Sequence, residues 1–299
     1  MPCFHPLPAW KSRRLSDSGK RGITFKLSDA FKDMPVELPC GKCVGCVQAR
    51  ANEWAMRCEH EAKLYKDNWF VTLTYRPESL PDGGSLVPKH LQDFWKRLRK
   101  RYDGVRYFAC GEYGENFHRP HYHALLFNFR PSDLVSRERV MDGQRVFDSK
   151  ELAEIWGHGS IQIAPFSGAT AQYVTNYVRK NFSVGGKAVD FGSVVKPFQV
   201  MSRRPGIGKK FLAQYLHDIY PAGVVVAPGG GMRRAPRFYD LTLEKSNARL
   251  YRQVKRRRKE IATHLGVDKR GSRLYTVEEV VERRQKFYDG IRGRPYEKE

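Results

Sequence analysis

His121, Tyr122 and His123 stand at the head of an apolar run, Ala124 to Phe127, a pattern that reads as a buried β-strand. Successive side chains on a strand point to opposite faces. His121 and His123 therefore share a side, with Leu125 and Phe127 further along it. Two imidazoles so placed can hold one metal ion; two partly buried histidines near a sheet edge would show the same spacing. A third ligand is at hand if the preceding strand folds back on this one. Glu112 closes that strand, just ahead of a polar turn over residues 113–120. Glu115, inside the turn, is the alternative donor.

A second set of reactive side chains follows on a helical segment, residues 169–182. Ala171, Val174, Val178 and Phe182 form one apolar stripe, while Tyr173, Tyr177 and Lys180 fall on roughly the opposite side of the wheel. Residues four apart on a helix stand about 5–6 Å from each other, so both phenols can visit one small site; packing against a second neighbour is the other use for such a pair. A divalent ion on the histidines would polarise a phosphate oxygen and stabilise the charge that builds at phosphorus. Tyrosine suits the attack, since a phenol with pKa about 10 ionises more readily than an aliphatic hydroxyl. Lys180 can neutralise the phosphate or assist proton transfer. Two tyrosines permit two successive transfers, one holding a strand end while the other attacks.

The cysteines Cys3, Cys40, Cys43, Cys46, Cys58 and Cys110 are unevenly placed. Cys40-Gly-Lys-Cys43-Val-Gly-Cys46 is a double C-x-x-C whose glycines permit the tight turns that wrap thiolates around an ion. With no signal-peptide layout ahead of it, such a cluster suggests metal ligation over disulfides. Three thiolates leave a tetrahedral zinc site one ligand short. Cys3 can supply the fourth, with Cys58 or His5 as substitutes; reduced, partly buried thiols are the simpler alternative.

These groups need elements to hold them. Residues 1–39 lack strong periodicity and read as an irregular arm, and residues 47–66, free of Gly and Pro, read as a helix. Residues 68–75, rich in β-branched and aromatic types and halted at Arg76-Pro77, predict a central strand. Leu91, Phe94, Trp95 and Leu98 lie at helical spacing within residues 87–102, with a basic outer face. Residues 105–112 predict the strand that pairs antiparallel with the histidine strand. A short helix over 149–156, a strand over 160–164, helices over 209–219 and 276–288 and a flexible connector over 224–231 complete the pattern. The expected division is a Cys-rich N-terminal arm and helix over residues 1–60, a catalytic core over 61–185, and a basic C-terminal region over 186–299 that binds DNA or extends the fold with helices.

The chain of 299 residues carries 54 Lys+Arg against 32 Asp+Glu, a net charge of +22. That points to a polyanionic partner, nucleic acid first among them. No stretch approaches the roughly 18 uninterrupted apolar residues of a membrane span, so no membrane partner is expected and the cytoplasm is the expected compartment. Arg203 and Arg204, beside Pro205 and Gly206, present cations on a constrained turn suited to phosphate. Lys255, Arg256, Arg257, Arg258 and Lys259 read as a DNA-backbone surface in preference to a merely solvated face.

Together these motifs resemble the HUH endonucleases, the rolling-circle replication initiator class, and most closely the replication initiation proteins of gokushoviruses, single-stranded DNA phages of the Microviridae. The resemblance is carried by Met1-Pro-Cys-Phe-His-Pro-Leu7, Pro39-Cys-Gly-Lys-Cys-Val-Gly-Cys46, Phe70-Val-Thr-Leu-Thr-Tyr75, Gly111-Glu-Tyr-Gly114 with Arg119-Pro-His-Tyr-His123, Tyr173-x-x-x-Tyr177-x-x-Lys180 and Met201-Ser-Arg-Arg-Pro-Gly-Ile-Gly208. It covers residues 1 to about 208; beyond them the chain adds basic character only. The resemblance implies an α+β fold: an HUH-type central antiparallel sheet of about five strands flanked by helices, with a Cys-rich N-terminal arm and a basic helical C-terminal extension. It implies that His121, His123 and Glu112 bind Mg²⁺ or Mn²⁺, that Tyr173 and Tyr177 are nucleophiles, and that Lys180 accompanies them. Such an enzyme nicks single-stranded or supercoiled phage origin DNA in the cytoplasm of the bacterial host and forms a 5′-phosphotyrosyl intermediate. It frees a 3′-hydroxyl for the host replication machinery and rejoins strands with the second tyrosine. Tyr122 fills a position where the family has a hydrophobic residue, and is expected to point to the other sheet face.

Three other readings share parts of this pattern. A plasmid relaxase or transposase of the same nuclease class would use the same core. A non-catalytic zinc-containing nucleic-acid-binding protein explains the charge and the cysteines but gives His121, His123 and Glu112 no shared purpose. A non-haem iron oxygenase suits two histidines and a carboxylate but leaves the tyrosines and the charge unexplained.

Overall fold

The computed structural model describes residues 3–17, 19, 21–114, 117–141, 144–176, 191–227, 231–265 and 282. They fall into two compact units, the first drawn from residues 1–50 and the second from residues 51–181 and 188–265. In the first, strands β1 (Leu7–Leu15), β2 (Arg21–Thr24) and β3 (Ala30–Leu38) pair antiparallel in the order β2-β1-β3. The irregular arm expected over residues 1–39 is therefore a small sheet. Both its faces stay largely wet: along the three strands only Ala9, Ser12 and Ala30 are buried. With no dry face to fill, the side chains carry no period of two, and backbone pairing alone defines the strands.

Helix α1 (Val44–Ala62) carries the chain into the second unit. There follow β4 (Asn68–Thr74), α2 (Pro88–Arg101), β5 (Arg106–Tyr113), β6 (Pro120–Phe127), the ribbon β7 (Val135–Met141) and β8 (Gln144–Asp148), α3 (Lys150–Trp156), β9 (Ile161–Pro165) and α4 (Gly168–Asn176). The C-terminal part adds β10 (Phe198–Met201), α5 (Lys209–Gln214), α6 (Leu216–Ile219), β11 (Val224–Val226), β12 (Met232–Arg234), α7 (Arg237–Ser246) and α8 (Ala248–Leu265). Seven strands form one antiparallel sheet in the order β10-β5-β6-β4-β9-β8-β7. The expected HUH-type α+β fold is present, with seven strands where about five were expected. β10 extends one edge beside β5, and the polar β7–β8 ribbon, whose sequence has no apolar alternation, extends the other. The flexible connector expected over 224–231 contains instead β11, paired with β12. The helix expected over 276–288 lies, apart from residue 282, outside the described residues.

Both faces of the large sheet are covered. Val71, Leu73, Ala109, Tyr122, Ala124 and Leu126 pack against Leu91, Phe94, Trp95 and Leu98 of α2 and Leu152, Ile155 and Trp156 of α3. On the opposite face Phe70, Phe108, Leu125 and Phe127 meet Ala55 and Cys58 of α1 and Ala171 and Val174 of α4. Burying each such Leu or Phe contributes about 1.5–3 kcal/mol, so these two layers hold the strands on which the reactive groups stand.

Helix α1 also meets the C-terminal helices, where the His60 ring stacks on Phe211 and its Nδ1 lies 2.9 Å from Tyr239 Oη. Burial, reinforced by the Lys63 charge, drives its pKa down to about 4, whereas an unfolded histidine titrates near 6.5. Between those values the unfolded chain takes up the proton first. The stability held by neutral His60 is thus fully present above about pH 6.5 and is lost as pH falls towards about 4. Denaturant melts across that window are expected to show stability falling by up to about 1.4 kcal/mol per pH unit from this residue, and His60→Gln is expected to flatten the fall. An identical pH slope in the variant would exclude His60 as its source.

Candidate metal centre and tyrosine site

β5 and β6 form a hairpin closed by Gly114 N–H, which donates to Arg119 O (3.0 Å). The register sets Glu112 opposite His121 and Cys110 opposite His123. On the other side of β6, Thr72 faces His123 and Thr74 faces His121. The antiparallel pairing expected from the sequence therefore brings Glu112 to both histidines: its Oε1 stands 2.7 Å from His121 Nε2 and 3.0 Å from His123 Nε2. Glu115 lies outside the described residues. Glu112 and His123 are buried, while the His121 side chain keeps 17% of its surface exposed and gives the group an open side.

The far nitrogens are also engaged. His121 Nδ1 lies 3.1 Å from Arg119 O and His123 Nδ1 3.0 Å from Thr72 Oγ1. A carbonyl only accepts, so His121 donates from Nδ1 and turns Nε2 to the carboxylate. At 2.7 Å an imidazole lone pair and a carboxylate oxygen repel unless a positive charge, a proton or a shared cation, joins them. Burial alone would push the Glu112 carboxyl up, but hydrogen bonds and charge from the two imidazoles outweigh it and hold the pKa down at about 2. The three ligand atoms lie within 4.8 Å of one another. Two nitrogens and a hard oxygen that is ionised at neutral pH fit a divalent cation.

Tyr173 stands beside this group. Its ring meets that of His123 edge-on at 5.2 Å and that of Phe70 at 5.9 Å, while Phe70 stacks on His123 at 5.4 Å. As the helical spacing predicts, Ala171 and Val174 of α4 are buried and Tyr173 is 48% exposed. Tyr177 and Lys180 lie outside the described residues.

In the first unit the Sγ atoms of Cys3, Cys40, Cys43 and Cys46 all lie within 4.8 Å of one another. Cys3 is thus the fourth member of the cluster; Cys58 belongs to the core around Phe70 and Phe108, and His5 is exposed. Backbone amides of Cys40, Cys43 and Phe4 donate to Cys3, Cys40 and Cys43 Sγ at 3.2, 3.3 and 3.4 Å. Against burial, such hydrogen bonds bring the Cys40 thiol down to about 7, whereas burial pushes the Cys3 and Cys46 thiols up. Gly41, at φ +75°, turns the chain between the first two thiols of the C-x-x-C run. Four convergent sulfurs fit a soft, tetrahedral ion.

The cations singled out in the sequence divide into two kinds. Arg203 and Arg204 are exposed between β10 and α5, and Lys255, Arg256, Arg257 and Lys259 are exposed on α8. Arg258 turns inward: its Nη1 lies 2.6 Å from Asp240 Oδ2 and its Nη2 donates to Gly223 O (2.8 Å). One helical turn from buried Val254, it sits on the packed face of α8.

A family model for replication-associated protein ORF2/G2P matches residues 68–182, from β4 through α4. The chain is 32% identical over 237 residues to replication-associated protein VP4 of Bdellovibrio phage phiMH2K, covering 75% of this chain and 74% of that protein. It is 32% identical over 221 residues to replication-associated protein ORF2 of Spiroplasma virus 4, covering 70% and 68%. With replication-associated protein ORF4 of Chlamydia phage 1 it shares 31% over 163 residues, covering 52% and 41%. No solved structure matches. A histidine hairpin with a carboxylate on an antiparallel sheet and a tyrosine helix beside it is the arrangement the resemblance implied for a replication initiator. The chain belongs to the family of phage replication-associated proteins.

Thr72 is a contributor that motif reading missed. Its signal was a polar residue at the same strand parity as Phe70, on a face that must be buried. By holding His123 through Nδ1 it orients Nε2 towards Glu112. Thr72→Val is expected to weaken Mn²⁺ binding by about 10- to 100-fold without unfolding the protein, as read by calorimetric titration; unchanged affinity would mean that the hydrogen bond orients nothing.

Proposed function

We propose that the protein initiates rolling-circle replication of phage DNA by nicking one strand of the origin, with Tyr173 and Tyr177 as its two nucleophiles. The observation that carries this reading is the ring of Tyr173 set against His123, beside the Glu112–His121–His123 group. In it, those three residues hold Mg²⁺ or Mn²⁺, which when bound supplies neutralising charge at a phosphate oxygen. Thr72 and the Arg119 carbonyl fix the two imidazoles, and the burial of Glu112 keeps bulk water from competing for its charge.

One tyrosine Oη bonds to phosphorus as the bond to the 3′-oxygen breaks. The phenol gives up its proton to solvent, the departing 3′-oxygen takes one from solvent, and the Lys180 ammonium neutralises charge on the phosphate or assists the transfer. The 5′-phosphate stays esterified to the protein, conserving the bond for transfer to a second strand end. Host replication machinery then extends the free 3′-hydroxyl, in the cytoplasm of the bacterial host. The four-cysteine cluster holds a structural zinc ion, and the exposed Lys and Arg residues take the DNA backbone.

Labelled single-stranded oligonucleotides from the phage origin, incubated with protein and Mn²⁺ and resolved on denaturing gels, test the chemistry. The wild type is expected to give a covalent adduct that chelation abolishes. His121→Ala should lower its formation by more than about 100-fold, and Tyr173→Phe combined with Tyr177→Phe should remove it. An adduct surviving in the double tyrosine variant rules the mechanism out. Elemental analysis of the purified protein is expected to find zinc, lost from Cys40→Ser; a preparation without zinc removes the structural-zinc assignment.

A further inference from the structure

Burying charge is costly unless each charged group is paired and hydrogen-bonded. In the second unit three such groups, Arg57 and Glu61 of α1 and Arg106 of β5, are all buried beneath one surface loop. Glu61 Oε1 accepts from Arg106 Nε, and its Oε2 accepts from Gly208 N–H at 2.6 Å. Arg106 Nη2 donates to Pro205 O (2.8 Å), while Arg57 Nε and Nη2 donate to Ile207 O (3.1 and 3.0 Å). The Arg57 guanidinium is itself held over the rings of Trp54 and Phe238, 3.8 and 4.0 Å from their centroids. Gly208 has φ +78°, and a Cβ there would stand 2.5 Å from Tyr239 Oη, so only glycine lets the chain pass.

The backbone from Pro205 to Gly208 is thus tied to the core at three positions, and the side chains it leaves outside are cationic. Arg203, Arg204, Lys209 and Lys210 are all exposed. Among the described residues no carboxylate pairs with Arg203, Arg204 or Lys209. Like charges gathered on a rigid mount repel, and an anion bound among them relieves the repulsion.

We propose that this loop is a phosphate clamp that grips the backbone of the substrate strand at a set distance from the nick, with Arg57, Glu61 and Arg106 as its positioning residues. The proposal rests on the nicking reading above and deepens it. β10 pairs with β5 so that Met201 lies opposite Phe108, which puts the loop at the Arg106 end of β5. Glu112 lies six residues further along that strand, about 20 Å away at about 3.4 Å per residue. A stacked strand that advances about 3.4 Å per nucleotide then has the clamped phosphates about six nucleotides from the scissile bond. Arginine forks bind phosphate bidentately, and a fork on a fixed backbone also fixes the register in which the strand reaches the tyrosines.

Fluorescence anisotropy with a labelled single-stranded oligonucleotide, run over a salt series in EDTA, tests the clamp without reference to cleavage. Arg203→Ala with Arg204→Ala is expected to lower the slope of log affinity against log salt by about 1.4, about 0.7 for each phosphate no longer neutralised. Mn²⁺ binding by Glu112, His121 and His123 should be unchanged. Glu61→Gln, which touches no DNA, is expected to weaken binding when both arginines are present and to add no further loss when they are absent; a general folding defect would weaken both backgrounds alike. A slope equal to the wild type's in the double arginine variant overturns the proposal, and because both arginines are exposed that result does not depend on the behaviour of Glu61→Gln. If the wild type forms no adduct while the slope still drops, the nicking reading fails and the phosphate clamp stands as a binding site. An adduct formed normally with no change in slope leaves the nicking reading in place and removes the clamp.

Discussion

At the end of β5 one buried carboxylate oxygen faces two imidazole nitrogens at 2.7 and 3.0 Å, an arrangement that only positive charge makes favourable. Its geometry is set by strand register. β6 is flanked by β5 and β4, and a slip of one residue would send both imidazoles to the α2 face and bring Tyr122 into their place. Tyr122 opposes that slip. Its ring is wholly buried on the far face, its Oη lies 2.9 Å from Tyr75 Oη, and it both accepts from Val87 N–H and donates to Val87 O, at 2.9 and 3.0 Å. The large polar-tipped residue between the histidines works as a pin: the ring fills the core and the hydroxyl satisfies the backbone where α2 begins.

The positive charge of the chain has two distinct uses. Arg57, Arg106 and Arg258 lie in packed surroundings where each meets a carbonyl, and Arg106 and Arg258 also meet the carboxylates of Glu61 and Asp240. These are structural cations, and their worth depends on complete pairing. The exposed Lys and Arg of the β10–α5 loop and of α8 raise the local potential and cost little to leave in water. A run of five cations in the sequence therefore overstates a binding surface, because helical periodicity spends one of them, Arg258, on holding α8 to α7.

The parts legible in the sequence were those where one face must be dry. The β-branched and aromatic run of residues 68–75, the apolar run that follows His121 and His123, and the 3.6-residue period of Leu91, Phe94, Trp95 and Leu98 marked β4, β6 and α2 to within a residue or two. The placing of Glu112 followed from the same logic, since a strand, a short turn and another strand leave few alternatives to a hairpin. The wet sheet β1–β3, the polar β7–β8 ribbon and the β11–β12 hairpin left no such trace. Thr72 and the Glu61–Arg106–Arg57 network were hidden for another reason: each depends on a partner far along the chain, Glu61 meeting Gly208 across 147 positions, and local spacing carries no record of such pairings.

The two metal-competent groups differ in a way that follows from their donors. The cluster of the first unit offers four convergent sulfurs, which would complete the shell of a tetrahedral ion and leave no position for a substrate. Soft thiolates also discriminate against magnesium and calcium, which prefer oxygen. The Glu112–His121–His123 group has three harder donors, fewer than the shell of a divalent ion requires, and one partly exposed imidazole on its open side. Phosphate oxygens can complete that shell where a fourth thiolate could not. One chain can therefore carry both groups without either competing for the other's ion, and the division between a closed sulfur shell and an open nitrogen and oxygen shell follows from donor type before any pocket shape is considered.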